Sequence, residues 1–238
     1  MFSKNKQTLL YRKKIASYLS YAIGEIILIV LGILIAVFIK NSNEEAVNTK
    51  IRNGIYTVII NNLKSDTIAV RRLIDYYEEA EPEFLKVMND SLNAKNLNYS
   101  GIMTSQRLVN LNTRGFKQLS DYKNSTSNNT DSLTFQITDF YTTYNTGISE
   151  INELISEDII EIIKDWRDNY DWFNPLIKNR KITEEAKTYF LESLEYKNKV
   201  TYRHILIYEN YIPLLKGFLK KSKIILGHLE KRLQKEKN

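Results

Sequence analysis

Residues 22–39, AIGEIILIVLGILIAVFI, form an apolar stretch of eighteen residues interrupted by one acid, Glu25. As a helix rising 1.5 Å per residue it reaches about 27 Å, close to the hydrocarbon thickness of a bilayer. A core helix of this length would carry a polar stripe, and only Glu25 breaks the apolar circumference. A cleaved signal peptide would have a shorter apolar region and a small-x-small site soon after it, whereas VFIKNSNEE follows here. A retained signal anchor spanning residues 18–40 is therefore expected, with Tyr18 and Tyr21 at its entry.

Charge sets the expected orientation. Lys4, Lys6, Arg12, Lys13 and Lys14 precede the segment, and Lys40, Glu44 and Glu45 follow it. That bias keeps residues 1–17 in the cytoplasm as a basic tail and places residues 41–238 outside. The net charge of +6 does not indicate a nucleic-acid partner. The excess of positive charge sits at the two ends of the chain, with eight basic residues within residues 216–238, and no nucleic-acid-binding signature is present. With no cysteine, disulfides, thiolate metal sites and cysteine nucleophiles are excluded.

Within the segment, Gly32 and Ala36 make a small-xxx-small pair that lets a second helix approach closely. Glu25 lies one turn inside the cytoplasmic end, where a carboxylate is costly and marks an interaction or proton-handling candidate. The alternative is that it snorkels to the headgroups or to Lys13 and Lys14. Partners expected on these grounds are the lipid bilayer through residues 18–40 and either a second copy of the chain or an envelope protein.

The residues YAIGEIILIVLGILIAVFIKNSNEE, Tyr21 to Glu45, resemble the anchor of domain-of-unknown-function family 6090, small bacterial one-span membrane proteins. Tyr21, Ala22, Ile23, Gly24, Glu25, Gly32, Ile33, Leu34, Ile35, Ala36, Asn41, Asn43 and Glu44 stand at its matching positions. NNLKSD and NTRGFKQLSD further on are similar in kind and order. Ser42 departs from the family's usual tryptophan, which moves any aromatic contact with the outer headgroups to Phe38. The resemblance implies the one-span topology in a bacterial inner membrane, with the bulk of the chain in the periplasm, and carries no activity.

Beyond the segment, eight Gly and three Pro in the whole chain favour long helices over short strands. Apolar residues at spacings of three and four predict a helix from about Asn48 to Asn89, bent near Pro82, then an irregular Asn-rich stretch at 90–102. A shorter helix from about Thr104, broken by Gly115, is expected next, with a small hairpin within 103–123 as the alternative. A polar loop at 124–132 follows. Leu133 to Trp166 predicts a helix of about nine turns, and residues 169–175 a turn. A final helical run is capped by Thr183 and kinked at Pro213. Such stripes are hidden most simply by packing side by side, so the expected fold is all-α: a transmembrane helix followed by an elongated antiparallel helical bundle.

No catalytic or cofactor motif accompanies this pattern, and neither an enzyme nor a cofactor is expected. His204 and His228 lack metal-ligand spacing and read as surface histidines. The acidic runs Glu78, Glu79, Glu81, Glu83 and Glu157, Asp158, Glu161 lack the turn glycine of a calcium loop. An envelope hydrolase built on them is the least favoured class. An interaction module leads, with a ligand-sensing bundle that signals through a membrane partner as its rival. Trp166, Trp172 and the neighbouring tyrosines are read as core.

Overall fold

A computed structural model describes residues 3–92, 99–125 and 132–235. The fold is all-α, with no strand among the described residues. The chain divides into two compact units, Met1–Gly54 and Ile55–Asn238. The helices are α1 (Ser3–Met88), α2 (Tyr99–Thr104), α3 (Arg114–Ser125), α4 (Ser132–Asn169), α5 (Phe173–Asn179), α6 (Glu184–Glu192) and α7 (Leu194–His204), then a π-helix (Ile205–Tyr211) and α8 (Ile212–Lys235).

In the first unit, α1 carries the apolar segment with every large side chain from Tyr21 to Ile39 exposed. It is the one helix among the described residues that is long and apolar enough to cross a membrane, and its most apolar window has 0% of its residues buried. Apolar side chains with no protein partner have no driving force to stay in water.

In the second unit, residues 55–88 of α1, together with α4 and the α7–π–α8 run, enclose one core. Contacts along their length give the directions. Lys64 pairs with Glu230 at 2.9 Å and Glu78 with Lys216 at 2.6 Å, so α8 runs antiparallel to α1. His228 meets Gln136 at 2.9 Å while Tyr211 meets Asn152, so α8 is also antiparallel to α4. Helices α1 and α4 therefore point the same way, joined by the long crossover 89–131.

Two local expectations within that crossover are corrected. A helix, α2, occupies Tyr99–Thr104, and residues 105–113 are non-helical where a helix was expected. The helix instead starts at Arg114, so Gly115 lies inside α3 and does not break it. No hairpin forms there. Residues 93–98 and 126–131, parts of the expected irregular stretch and polar loop, lie outside the described residues.

Packing gives Gly115 its role. A Cβ at this position would lie 2.6 Å from Ile59 Cγ1 and 2.9 Å from the Ile59 backbone nitrogen, so α3 sits directly on the backbone of α1. Gly115→Ala is expected to lose about 1–3 kcal/mol through overpacking, against which the helix preference of Ala returns at most about 1 kcal/mol. Gly227→Ala, where nothing lies within 4 Å, should gain a few tenths of a kcal/mol or more. Urea midpoints of the two variants side by side test the contact.

At the C-terminal half, α4 spans Ser132–Asn169 as the periodicity requires. The Thr183 hydroxyl accepts from Ala186 N–H at 3.2 Å, the expected cap. A second cap interrupts the run: Ser193 is extended, and its hydroxyl accepts from Tyr196 N–H at 3.3 Å. Pro213 is absorbed by a widened turn. A proline ring collides with the carbonyl four residues back and supplies no N–H. The π-helix 205–211 immediately before it opens the ladder, with Ile212 N–H bonding to Ile207 O and the Asn210 amide capping Ile205 O at 2.8 Å.

Candidate functional site

Glu25, Gly32 and Ala36 fall at offsets of seven and four on an uninterrupted helix, so at 3.6 residues per turn they share one face. All three are exposed, and nothing lies within 4 Å of a Cβ added at Gly32. Helical geometry thus brings the three candidates into one stripe that has room for a close-packed partner.

A second constellation lies in the unit Ile55–Asn238, around the non-helical segment 105–113. Where such a segment packs against helices, its backbone donors and acceptors have no helix ladder to satisfy them. Here side chains bond them. Tyr77 Oη donates to Arg107 O at 2.7 Å and accepts from Arg107 N–H at 3.3 Å. Asn152 Nδ2 donates to Val109 O at 2.8 Å, Val109 N–H donates to Tyr211 Oη at 3.3 Å, and the Tyr211 hydroxyl donates to Asn152 Oδ1, closing a ring around one residue. Asn112 N–H donates to Asp66 Oδ2 and Asn62 Nδ2 donates to Asn112 O, both at 3.0 Å. The segment is held from α1, α4 and the π-helix at once, which places Val109 and Leu111 in the core.

Burial pushes the Asp66 carboxyl up to about 6, only partly opposed by the Asn112 N–H. Burial likewise raises the Tyr77 and Tyr211 hydroxyls above the ordinary tyrosine range, which keeps them neutral donors. Near this network, Tyr141 stacks on Phe116 at 5.1 Å with its hydroxyl buried and unpartnered.

Arg203 is wholly buried and bonds Asp158 Oδ2 through Nε at 2.5 Å. Its Nη2 reaches Met103 O at 3.4 Å, and its Nη1 has no partner among the described residues. The Asp158 carboxyl is raised by burial, with the Arg203 charge and hydrogen bond opposing. One turn beyond Arg203, Ile207 of the π-helix closes a cavity of about 110 Å³ together with Tyr76, Tyr77, Phe84, Gly101 and Ile102. The Arg107 guanidinium lies over the Tyr76 ring at 4.2 Å from its centroid.

His204 departs from the surface reading. Its ring packs against Tyr208 at 4.6 Å between centroids, both ring nitrogens are buried, and Nε2 lies 3.4 Å from Glu81 Oε1. It flanks the Tyr196, Val200, Arg203 and Ile207 stripe, so it covers α1 and not solvent. The acidic runs disperse into separate pairs: Glu78 with Lys216, Glu83 with Lys86, and Asp158 with Arg203. No three His, Asp or Glu side chains converge among the described residues. Trp166, Trp172, Tyr189, Phe190 and Tyr196 form one aromatic cluster, with the Trp166 indole N–H donating to Tyr189 Oη at 3.1 Å.

The sequence does hold a signal for the missed residues. Asn62, Asp66, Asn152 and Arg203 are polar residues standing in the apolar stripes of their helices, and each proves buried. Comparison of the chain with protein-family models, curated proteins and solved structures gives no match.

Proposed function

We propose that this chain is a membrane-anchored helical interaction module whose apolar segment 18–40 spans a bacterial inner membrane, leaving the outer unit to engage an envelope partner or a second copy. One observation carries the reading. A fully exposed apolar segment shares helix α1 with a unit that encloses its own core, so the segment has lipid or another span as its natural surroundings. Glu25, Gly32 and Ala36 on one face supply the pairing surface, and the resemblance of Tyr21 to Glu45 to family 6090 supports the same topology. No enzymatic role is proposed.

Affinity purification of the tagged full-length protein in mild detergent, followed by mass spectrometry, tests this. Co-purification of a defined envelope complex or of a second tagged copy supports it, and recovery as a soluble protein without detergent sinks it. If the span pairs through its small residues, Gly32→Leu should reduce self-association in a membrane two-hybrid assay by about tenfold, because a bulky side chain prevents close backbone approach. A second reading, a ligand-sensing bundle that signals through a membrane partner, is favoured by the cavity beside the π-helix and the unpartnered Arg203 Nη1. A monomeric protein stabilised by a small molecule against heating would select it.

A further inference from the structure

The cavity of about 110 Å³ beside the π-helix lies wholly within the unit Ile55–Asn238, and its wall is mostly carbon. Tyr76, Tyr77 and Phe84 bring three rings from α1, and Ile102 and Ile207 close it from α2 and the π-helix. A π-helix is rare and concentrates at functional sites, and this one sets Ile207 in the wall. The polar groups of the lining divide into two kinds. The Tyr77 hydroxyl is taken up twice by the Arg107 backbone, and the Glu83 carboxylate is paired with Lys86 at 2.6 Å. The Tyr76 and Ser105 hydroxyls meet no protein partner among the described residues, and Ser105, exposed, marks the mouth.

We infer that this cavity binds one neutral aromatic ring carrying a single hydroxyl, the phenol class of ligand. The inference rests on the ligand-sensing reading above and names the ligand of that site. Size comes first. A cavity of about 150 Å³ holds benzene, so one ring with its polar atom at the open mouth is the largest occupant this volume admits. The rings of the wall already meet others edge-on, Tyr76 with Tyr77 at 5.1 Å and Phe84 with Tyr208 at 5.4 Å between centroids, and they offer a guest ring the same offset and edge contacts.

Charge narrows the class. An ammonium ligand would meet the Arg107 guanidinium over the Tyr76 ring and a carboxylate already taken by Lys86. A carboxylate ligand would lie against Glu83, and either charge would be desolvated among apolar groups. A hydroxyl is left as the group that the free Ser105 and Tyr76 hydroxyls bond without that cost.

The test follows the isoleucine methyl resonances of the isotope-labelled full chain in detergent micelles, titrated with phenol, toluene, tetramethylammonium or benzoate. Phenol should shift Ile102 and Ile207 saturably, with half-saturation on the order of 1 mM, and leave Ile177 on α5 in place. The double variant Tyr76→Phe with Ser105→Ala keeps the rings and removes both hydroxyls. It should bind phenol about threefold or more weakly while toluene, of the same shape, binds as before. Equal effects of the variant on phenol and toluene overturn the hydroxyl recognition. Saturable shifts with tetramethylammonium or benzoate in place of phenol overturn the neutral class and leave the ligand-sensing reading standing. No saturable shift with any of the four, or a linear drift that Ile177 shares, overturns the cavity as a site and that reading with it.

Discussion

Asp158→Ala is expected to remove about 3–5 kcal/mol of stability, the cost of stranding a buried charge. Its partner, Arg203, is wholly buried, cannot shed its proton, and would retain only the 3.4 Å contact from Nη2 to Met103 O. Because Nη1 already lacks a partner, the site has no spare acceptor to take up the loss. Arg203→Met in the same chain should recover most of the deficit, since a flexible apolar side chain fills the space with no charge to desolvate. Urea unfolding of the detergent-solubilised full chain, followed by the fluorescence of Trp166 and Trp172, reads this directly. They are its two tryptophans, and both are buried in the unit Ile55–Asn238. A loss below about 1 kcal/mol for Asp158→Ala would mean that the pair is dispensable to the core.

The second large effect is a dependence on pH through Asp66. Its folded value of about 6 lies above the ordinary 3.8 because the carboxyl is buried, so the folded state binds the proton more tightly than the unfolded chain does. Between those two values the folded protein holds more protons, and stability falls as pH rises. The contribution is fully present below the unfolded value and is lost as pH passes through about 6. A shift of roughly two units amounts to about 3 kcal/mol. Asp158, also raised by burial, acts in the same direction. The difference between the wild type and Asp66→Asn therefore isolates Asp66. Between pH 4 and 7 the asparagine variant should lose about 3 kcal/mol less than the wild type, and parallel curves would refute the assignment.

The same residue links stability to organisation. Asp66 Oδ2 holds Asn112 N–H, and Gly115 three residues later seats α3 on Ile59. The network that costs stability at neutral pH thus sets the register of the crossover against α1. The buried Asp66 carboxyl has the Asn112 N–H as its donor.

Local signals carried the elements that depend only on neighbours in the chain. The segment 22–39 reads as a helix apolar on all sides because no polar stripe offers a core-facing alternative. The three-four spacing from Leu133 to Trp166 needs no partner to specify a helix, and the Thr183 cap is made within four residues. Glu25, Gly32 and Ala36 become one stripe as soon as the helix through them is continuous.

What no local pattern contained is which surfaces meet. Periodicity marks the buried face of α1 and α4 but not their relative direction, which the crossover 89–131 decides. Residues 105–113 stay outside the helices, where Tyr77, Asn152 and Tyr211, distant in sequence, bond the backbone of Arg107 and Val109. Asn62, Asp66, Asn152 and Arg203 read as interruptions of apolar stripes until the segments they hold are in place. A polar residue in a core is tolerable only with its partner, and that partner is chosen by tertiary packing. The chain by itself therefore determined a long apolar helix and the long helix α4, while the clamped crossover and the buried ion pair were decided by contacts between residues far apart in sequence.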